Sequence, residues 1–253
     1  MERFVLVIDS GVGGISVLNQ CIKLMPSENF LYVADTKNAP YGNKSKQSLQ
    51  KTVLNLVKNY LEEYDIKLIL FACNTITATT INFIRSKIKT DIVGIEPAIK
   101  PAVEYGDRHI LLLSTVATLK HNKMLRKYKH KNLKGVHFLS LKYMAKHIDS
   151  NLEDLTKINS YVKRALTKYK KTPINSVVLG CTHYEYIKEH LKFALNNKDL
   201  QFFESNLGTA RRVKQLLVTN NDLKKEGNGH IMLFETKAYE AMLNKLWNYI
   251  VIE

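Results

Sequence analysis

Apolar residues along this chain gather in short dense runs, and each run stops abruptly at glycine, proline or a polar residue. Phe4 to Asp9, Phe30 to Ala34, Ile66 to Ala72, Ile92 to Ile95, His109 to Leu113, Gly135 to Leu139, Ser176 to Gly180 and Gln201 to Glu204 read as strands. Between them lie segments of helical spacing. Ile15 to Met25, Thr77 to Ser86, Asn151 to Tyr169, Tyr184 to Ala194, Gly208 to Val218 and Lys237 to Tyr249 are expected to be helices. Another is expected from a Ser45 cap to about Tyr64, with Val53, Leu54, Leu56, Val57, Tyr60 and Leu61 on its apolar face. Asp222 to Gly229 reads as a polar linker. Strand and helix alternate throughout, which implies parallel sheets flanked by helices, an α/β fold. The pattern breaks between Glu96 and Gly106. Two α/β lobes are therefore expected, one from residues 1–96 plus about 208–253 and one from 97–207, with a cleft between their strand C-terminal ends.

Two runs end in the same way. Ile66 to Phe71 leads into Ala72-Cys73-Asn74-Thr75, and Ser176 to Leu179 leads into Gly180-Cys181-Thr182-His183-Tyr184. A buried parallel strand that ends in polar chemistry delivers it to the cleft at the sheet edge. Two strand-end cysteines facing one cleft would place acid/base groups on opposite sides of a small substrate. The third, Cys21, falls on the apolar face of a helix and reads as buried and inert. Asp9 ends the first strand, ahead of Ser10-Gly11-Val12-Gly13-Gly14. Its carboxylate is either a helix cap or a proton-handling group. The glycines lack dinucleotide-site spacing and fit either an anion site at the next helix or a tight turn. The polar loop Asp35 to Ser45 is either a cover for a ligand, with Tyr41 offering a hydroxyl, or an ordinary βα loop. Asn74 and Thr75 could cap the following helix, touch a ligand, or both.

The chain has 253 residues and is 45% hydrophobic, enough for a substantial core. It contains no apolar run of about 18 residues, so no membrane span is expected. The first apolar run is too short for a signal peptide, and a cytoplasmic protein is expected. Three scattered cysteines make neither a disulfide framework nor a metal site. The formal net charge is +15, densest from Lys120 to Lys134. That charge admits a nucleic-acid surface, but no recognition motif accompanies it, and a solvated lysine-rich face is the simpler reading. The same charge would also attract an anionic substrate.

Five motifs in register, Asp9 to Gly14, Pro40-Tyr41-Gly42, Ala72 to Thr75, Gly94 to Ala98 and Leu179 to Tyr184, resemble those of the glutamate racemases. These are cofactor-independent members of the aspartate/glutamate racemase superfamily, and the motifs span residues 5 to 184 in family order. The resemblance implies two similar flavodoxin-like lobes, no cofactor and no metal, and glutamate as the substrate. It also implies a two-base mechanism supplying D-glutamate for peptidoglycan. One cysteine as thiolate removes the α-proton, and the opposite thiol protonates the other face. A free thiol near pKa 8.5 suits that exchange. By the family pattern Cys73 serves the D-enantiomer with Asp9, and Cys181 the L-enantiomer with His183. Ser10, Tyr41, Gly42, Asn74, Thr75, Thr118 and Thr182 match positions that hold the substrate's carboxylates and ammonium.

The second lobe departs from the family pattern. Ser114 stands where a glycine is usual, and His121 and Met124 replace a serine and a tyrosine. A family glutamate has no clean match, and Asp149 is the nearest candidate. Two other readings follow: a superfamily racemase acting on another amino acid such as aspartate, or a non-catalytic basic protein binding nucleic acid. A histidine rather than glutamate after Cys181-Thr182 argues against aspartate. The assembly stays open between monomer and homodimer.

Overall fold

The computed structural model describes residues 2–106, 109–237 and 250. Nine strands among them form two sheets: β1 (Phe4–Asp9), β2 (Phe30–Ala34), β3 (Ile66–Phe71), β4 (Ile92–Gly94), β5 (Ile110–Ser114), β6 (Val136–Ser140), β7 (Ser176–Gly180), β8 (Gln201–Phe203) and β9 (Ile231–Glu235). The first sheet has the order β4-β3-β1-β2-β9, the second β6-β5-β7-β8. Every pairing is parallel. In both sheets the chain places its second strand on one side of the first and its third on the other. The order therefore reverses between β1 and β3, and again between β5 and β7. At such a switch point the connecting helices diverge and leave a crevice at the strand C-terminal ends. Cys73 follows β3, and Cys181 follows β7.

β1, β2, β3, β5 and β7 lack polar alternation because both of their faces are covered. On β1, Val5 and Val7 face a core shared by the two sheets, while Phe4, Leu6 and Ile8 face a second core. β5 and β7 send Leu111, Leu113, Val177 and Leu179 into the shared core, and Ile110, Leu112 and Val178 into a third. This two-residue alternation is the strand pleat at work. Each fully buried Val, Leu or Ile stabilises by about 2 kcal/mol relative to exposure. The shared core, completed by helices Ile15–Leu24 and Asn206–Thr219, joins the two sheets.

Helix Lys46–Glu63 starts as its sequence implies: Ser45 Oγ accepts the Ser48 N–H at 3.2 Å. Leu49, Val53 and Val57, at four-residue spacing, are buried.

Several expectations need correction. The helix after Cys73 begins at Asn74 rather than Thr77. The expected helix from Asn151 to Tyr169 is broken. Asp154 Oδ1 accepts the Thr156 N–H, a cap that restarts the chain as a short 3-10 turn before helix Asn159–Leu166. Thr182–Ile187 is a 3-10 helix that passes into helix Lys188–Leu195. The Glu96 to Gly106 break contains a short helix, Ile99–Glu104. β9, missed in the sequence, extends the first sheet beside β2. The helix expected at 237–249 falls almost wholly outside the described residues. Among the described residues, no helix is long and apolar enough to cross a membrane.

Candidate active site

Both cysteines end their strands in the same cleft. Cys73 is the N-cap residue of helix Asn74–Arg85, and the backbone N–H groups of Thr75 and Ile76 point at its sulfur. Burial, then the Asp9 carboxylate and Cys181, push the Cys73 thiol well above its ordinary value despite those donors. Cys73 therefore rests protonated. Cys21, buried in the shared core, is pushed up to about 12 by burial alone and is inert.

Asp9 stands behind Cys73 with no exposed surface. One of its oxygens accepts the Gly11 N–H at 2.8 Å, and the other accepts the Thr182 hydroxyl at 3.3 Å. Burial raises its carboxyl to about 6, partly offset by His183 and the Gly11 N–H. A carboxyl poised there can both take and give a proton near neutrality.

The Cys181 side is built differently. His183 Nδ1 lies 3.9 Å from Cys181 Sγ, and His183 Nε2 lies 3.0 Å from Asp149 Oδ1. Burial alone would lower this imidazole, but Asp149 and Cys181 outweigh it and hold it well above its ordinary value. His183 is thus an imidazolium that donates to Asp149. Asp149 sits on helix Met144–Ser150 of the segment that departs from the family pattern, with the Val12 N–H 3.5 Å from Oδ1.

The turn after β1 lets this second half approach the first. A Cβ on Gly13 would lie 2.3 Å from His183 Nδ1 and 2.6 Å from Thr182 Oγ1, so no larger residue fits. Tyr32 of β2 donates to Gly11 O at 2.6 Å and Tyr186 of the 3-10 helix after β7 to Val12 O at 3.1 Å, which pins the turn from two sides.

Ser10, Tyr41, Gly42, Thr75, Cys73, Cys181 and His183 line one cleft, as the sequence implies, together with Asp149. Its interior is only about 20 Å³, room for little more than a water, so the walls are closed. Asn74, Thr118 and Thr182 do not line it. Thr118 bonds to Thr75 (3.3 Å) and Thr115 (2.8 Å) from behind, and Thr182 bonds to Asp9. Asn74 is buried with its side-chain oxygen unpartnered. The Tyr41 hydroxyl donates to Asp35 at 2.5 Å. Thr115, Lys142 and Tyr143 line the cleft without having been singled out. Thr115 bonds Thr75 across the lobes at 2.9 Å, and its place at the end of β5 was the available signal.

The family model for Asp/Glu/Hydantoin racemase matches residues 7–207, the stretch that carries both cysteines and their partners. The chain belongs to that racemase family. A glutamate racemase from Clostridium botulinum (strain Loch Maree) is 38% identical over 247 residues, covering 95% of each chain. One from Clostridium novyi is 37% identical over 234 residues, covering 90% of this chain and 89% of its own. Among solved structures, Escherichia coli glutamate racemase in complex with L-glutamate and the activator UDP-MurNAc-Ala superposes with a TM-score of 0.84 at 30% identity. The match covers 98% of this chain and 96% of that one. An amino-acid racemase needs an acid and a base on opposite faces of one carbon. Here two strand-end thiols, Cys73 and Cys181, line one cleft.

Proposed function

We propose that the chain interconverts L- and D-glutamate without a cofactor, by proton transfer between Cys73 and Cys181. The observation that carries this reading is the pair of buried thiols lining one cleft, each from the switch point of its own sheet and each with its own proton partner. For L-glutamate, Cys181, as a thiolate paired with the His183 imidazolium, removes the α-proton and becomes a thiol. Cys73 then donates its proton to the opposite face, and Asp9 restores the thiol. For D-glutamate the roles reverse.

The carbanion between these steps needs stabilising, because an amino-acid α-proton is far less acidic than a thiol. The hydroxyls of Ser10, Thr75 and Thr115 and the backbone around Gly42 and Asn43 would hold the carboxylates. Asn74, Thr118 and Thr182 would fix those groups from behind, and Tyr41 would shape the wall. Substrate enters when the closed walls part, with residues 1–96 plus about 208–253 moving against 97–207. D-glutamate would serve peptidoglycan synthesis in a bacterial cytoplasm, and two copies would form a homodimer.

The test is circular dichroism of L-glutamate, and separately of L-aspartate, incubated with pure protein and no added cofactor. Decay of the glutamate signal to zero with aspartate unchanged is expected. Decay of aspartate alone would move the activity elsewhere in the family, and two static signals would refute racemisation.

A further inference from the structure

Outside the catalytic cleft, a second chamber of about 430 Å³ opens at its mouth. Among the described residues, its walls carry Lys44, Lys46, Lys120, His121 and Lys142, and no carboxylate. These basic residues come from three separate segments. Lys44 and Lys46 lie at the start of helix Lys46–Glu63, Lys120 and His121 end helix Val116–His121, and Lys142 follows β6. None of the four lysines has an ion-pair partner among the described residues. Lysines on an ordinary surface diverge into water, whereas these converge on one concavity. His121 is held below its ordinary value by burial, then by Lys120, Lys46 and Arg126. The chamber thus carries a field unfavourable to further positive charge and favourable to an anion.

The chamber is continuous with the chemistry. Gly42, Asn43, Val116, Lys142 and Tyr143 line both spaces. Tyr143, a non-glycine residue at φ +66°, holds a left-handed backbone, and Lys142 Nζ lies 4.9 Å from its ring centroid. This pair stands where the two spaces meet. Among the described residues, the polar side chains lining the catalytic cleft are otherwise hydroxyls, thiols, Asn43 and the His183–Asp149 pair, and its one lysine is Lys142.

We propose that the outer chamber is a staging site for dicarboxylates, which gathers an anionic amino acid before it passes Lys142 and Tyr143 into the cleft. Cations outside the reacting centre raise capture without holding substrate and product more firmly than the transition state, which would add nothing to turnover. The identity of the anion rests on the glutamate reading, but the site itself does not.

The test pairs kinetics with a direct anion probe. Lys44→Gln, Lys46→Gln and Lys120→Gln, combined in one protein, remove three cations that lie outside the catalytic cleft. The expected result is a KM for L-glutamate raised about 5-fold at low salt with kcat unchanged. About 0.5 M salt should bring the wild type to the same value. Separately, sulfate should shift the His121 ring signal saturably in NMR, with the signal assigned by its loss in His121→Gln, and L-glutamate should displace sulfate. No sulfate shift, or a shift that survives in the triple variant and so reports an adventitious ion only, would overturn the site. A lost sulfate shift with KM and salt dependence unchanged would overturn the staging role. A sulfate shift in a protein that leaves L-glutamate unracemised would support the chamber and refute the racemase reading.

Discussion

Cys73 and Cys181 occupy the same place in two copies of one strand order, yet opposite charges surround them. Beside Cys73 stands a buried carboxyl, Asp9, and a helix N-terminus whose N–H groups face the sulfur. Beside Cys181 stands an imidazolium, His183, braced by Asp149. A pseudo-symmetric fold thus carries asymmetric chemistry. In the proposed reaction the asymmetry has a use, because at each turnover one sulfur must donate a proton while the other accepts one. Two identical environments would leave both thiols in the same state.

The largest effects should come from breaking the pair. Cys73→Ser and Cys181→Ser should each lower glutamate racemisation by about 10³-fold or more, with far-ultraviolet circular dichroism unchanged. Either variant at wild-type activity would refute the two-thiol account. Next come the partners. Asp149→Asn leaves His183 without its carboxylate and should lower kcat/KM by about 10- to 100-fold, and Asp9→Asn by a comparable factor. L- and D-glutamate have equal free energies, so kcat/KM must fall equally in both directions. The asymmetry should appear instead in α-deuterium isotope effects, larger from the L side in Asp149→Asn and from the D side in Asp9→Asn.

Asp9→Asn should also change stability, in the opposite sense to activity. The folded carboxyl is raised to about 6 from an ordinary 3.8, so folding is favoured by its protonated form. That contribution is fully present below about pH 4 and is lost as pH rises through about 6. The rise corresponds to about 3 kcal/mol for this fully buried group. Urea denaturation at pH 5 and pH 8 should show the wild type weakening relative to Asp9→Asn as pH rises. A gap independent of pH would mean that Asp9 carries no such cost. Gly13→Ala should cost about 1–3 kcal/mol and at least tenfold in rate, because its methyl group strikes His183 and Thr182. Cys21→Ala, the control cysteine, should lose about 1 kcal/mol or less and leave kcat/KM unchanged.

Much of this was legible in the sequence because the central strands are buried on both faces and end in polar residues. The runs before Cys73 and Cys181 announced their strands, and Ser45 announced its helix. β9 was not legible. Ile231–Glu235 follows a glycine-rich polar stretch, and only its long-range pairing with β2 makes it a strand. Asp154 hid the break in the expected helix from Asn151 to Tyr169, since a local cap there competes with continued helical hydrogen bonding. In the cleft, residues within the motifs could be named from their neighbours. Asp149 was only a candidate, because contact with His183 depends on how helix Met144–Ser150 docks. Lys142 and Tyr143 went unnoticed for the same reason: a loop residue reaches a cleft through tertiary packing, with no periodic pattern to reveal it.

The most direct test of the paired thiols is solvent exchange at the α-carbon, followed by proton NMR in deuterated buffer. Cys73→Ser retains the Cys181 side and should wash out the α-proton of L-glutamate, leaving D-glutamate untouched. Cys181→Ser should do the reverse. Exchange of both enantiomers by either variant would contradict the assignment of one thiol to each face.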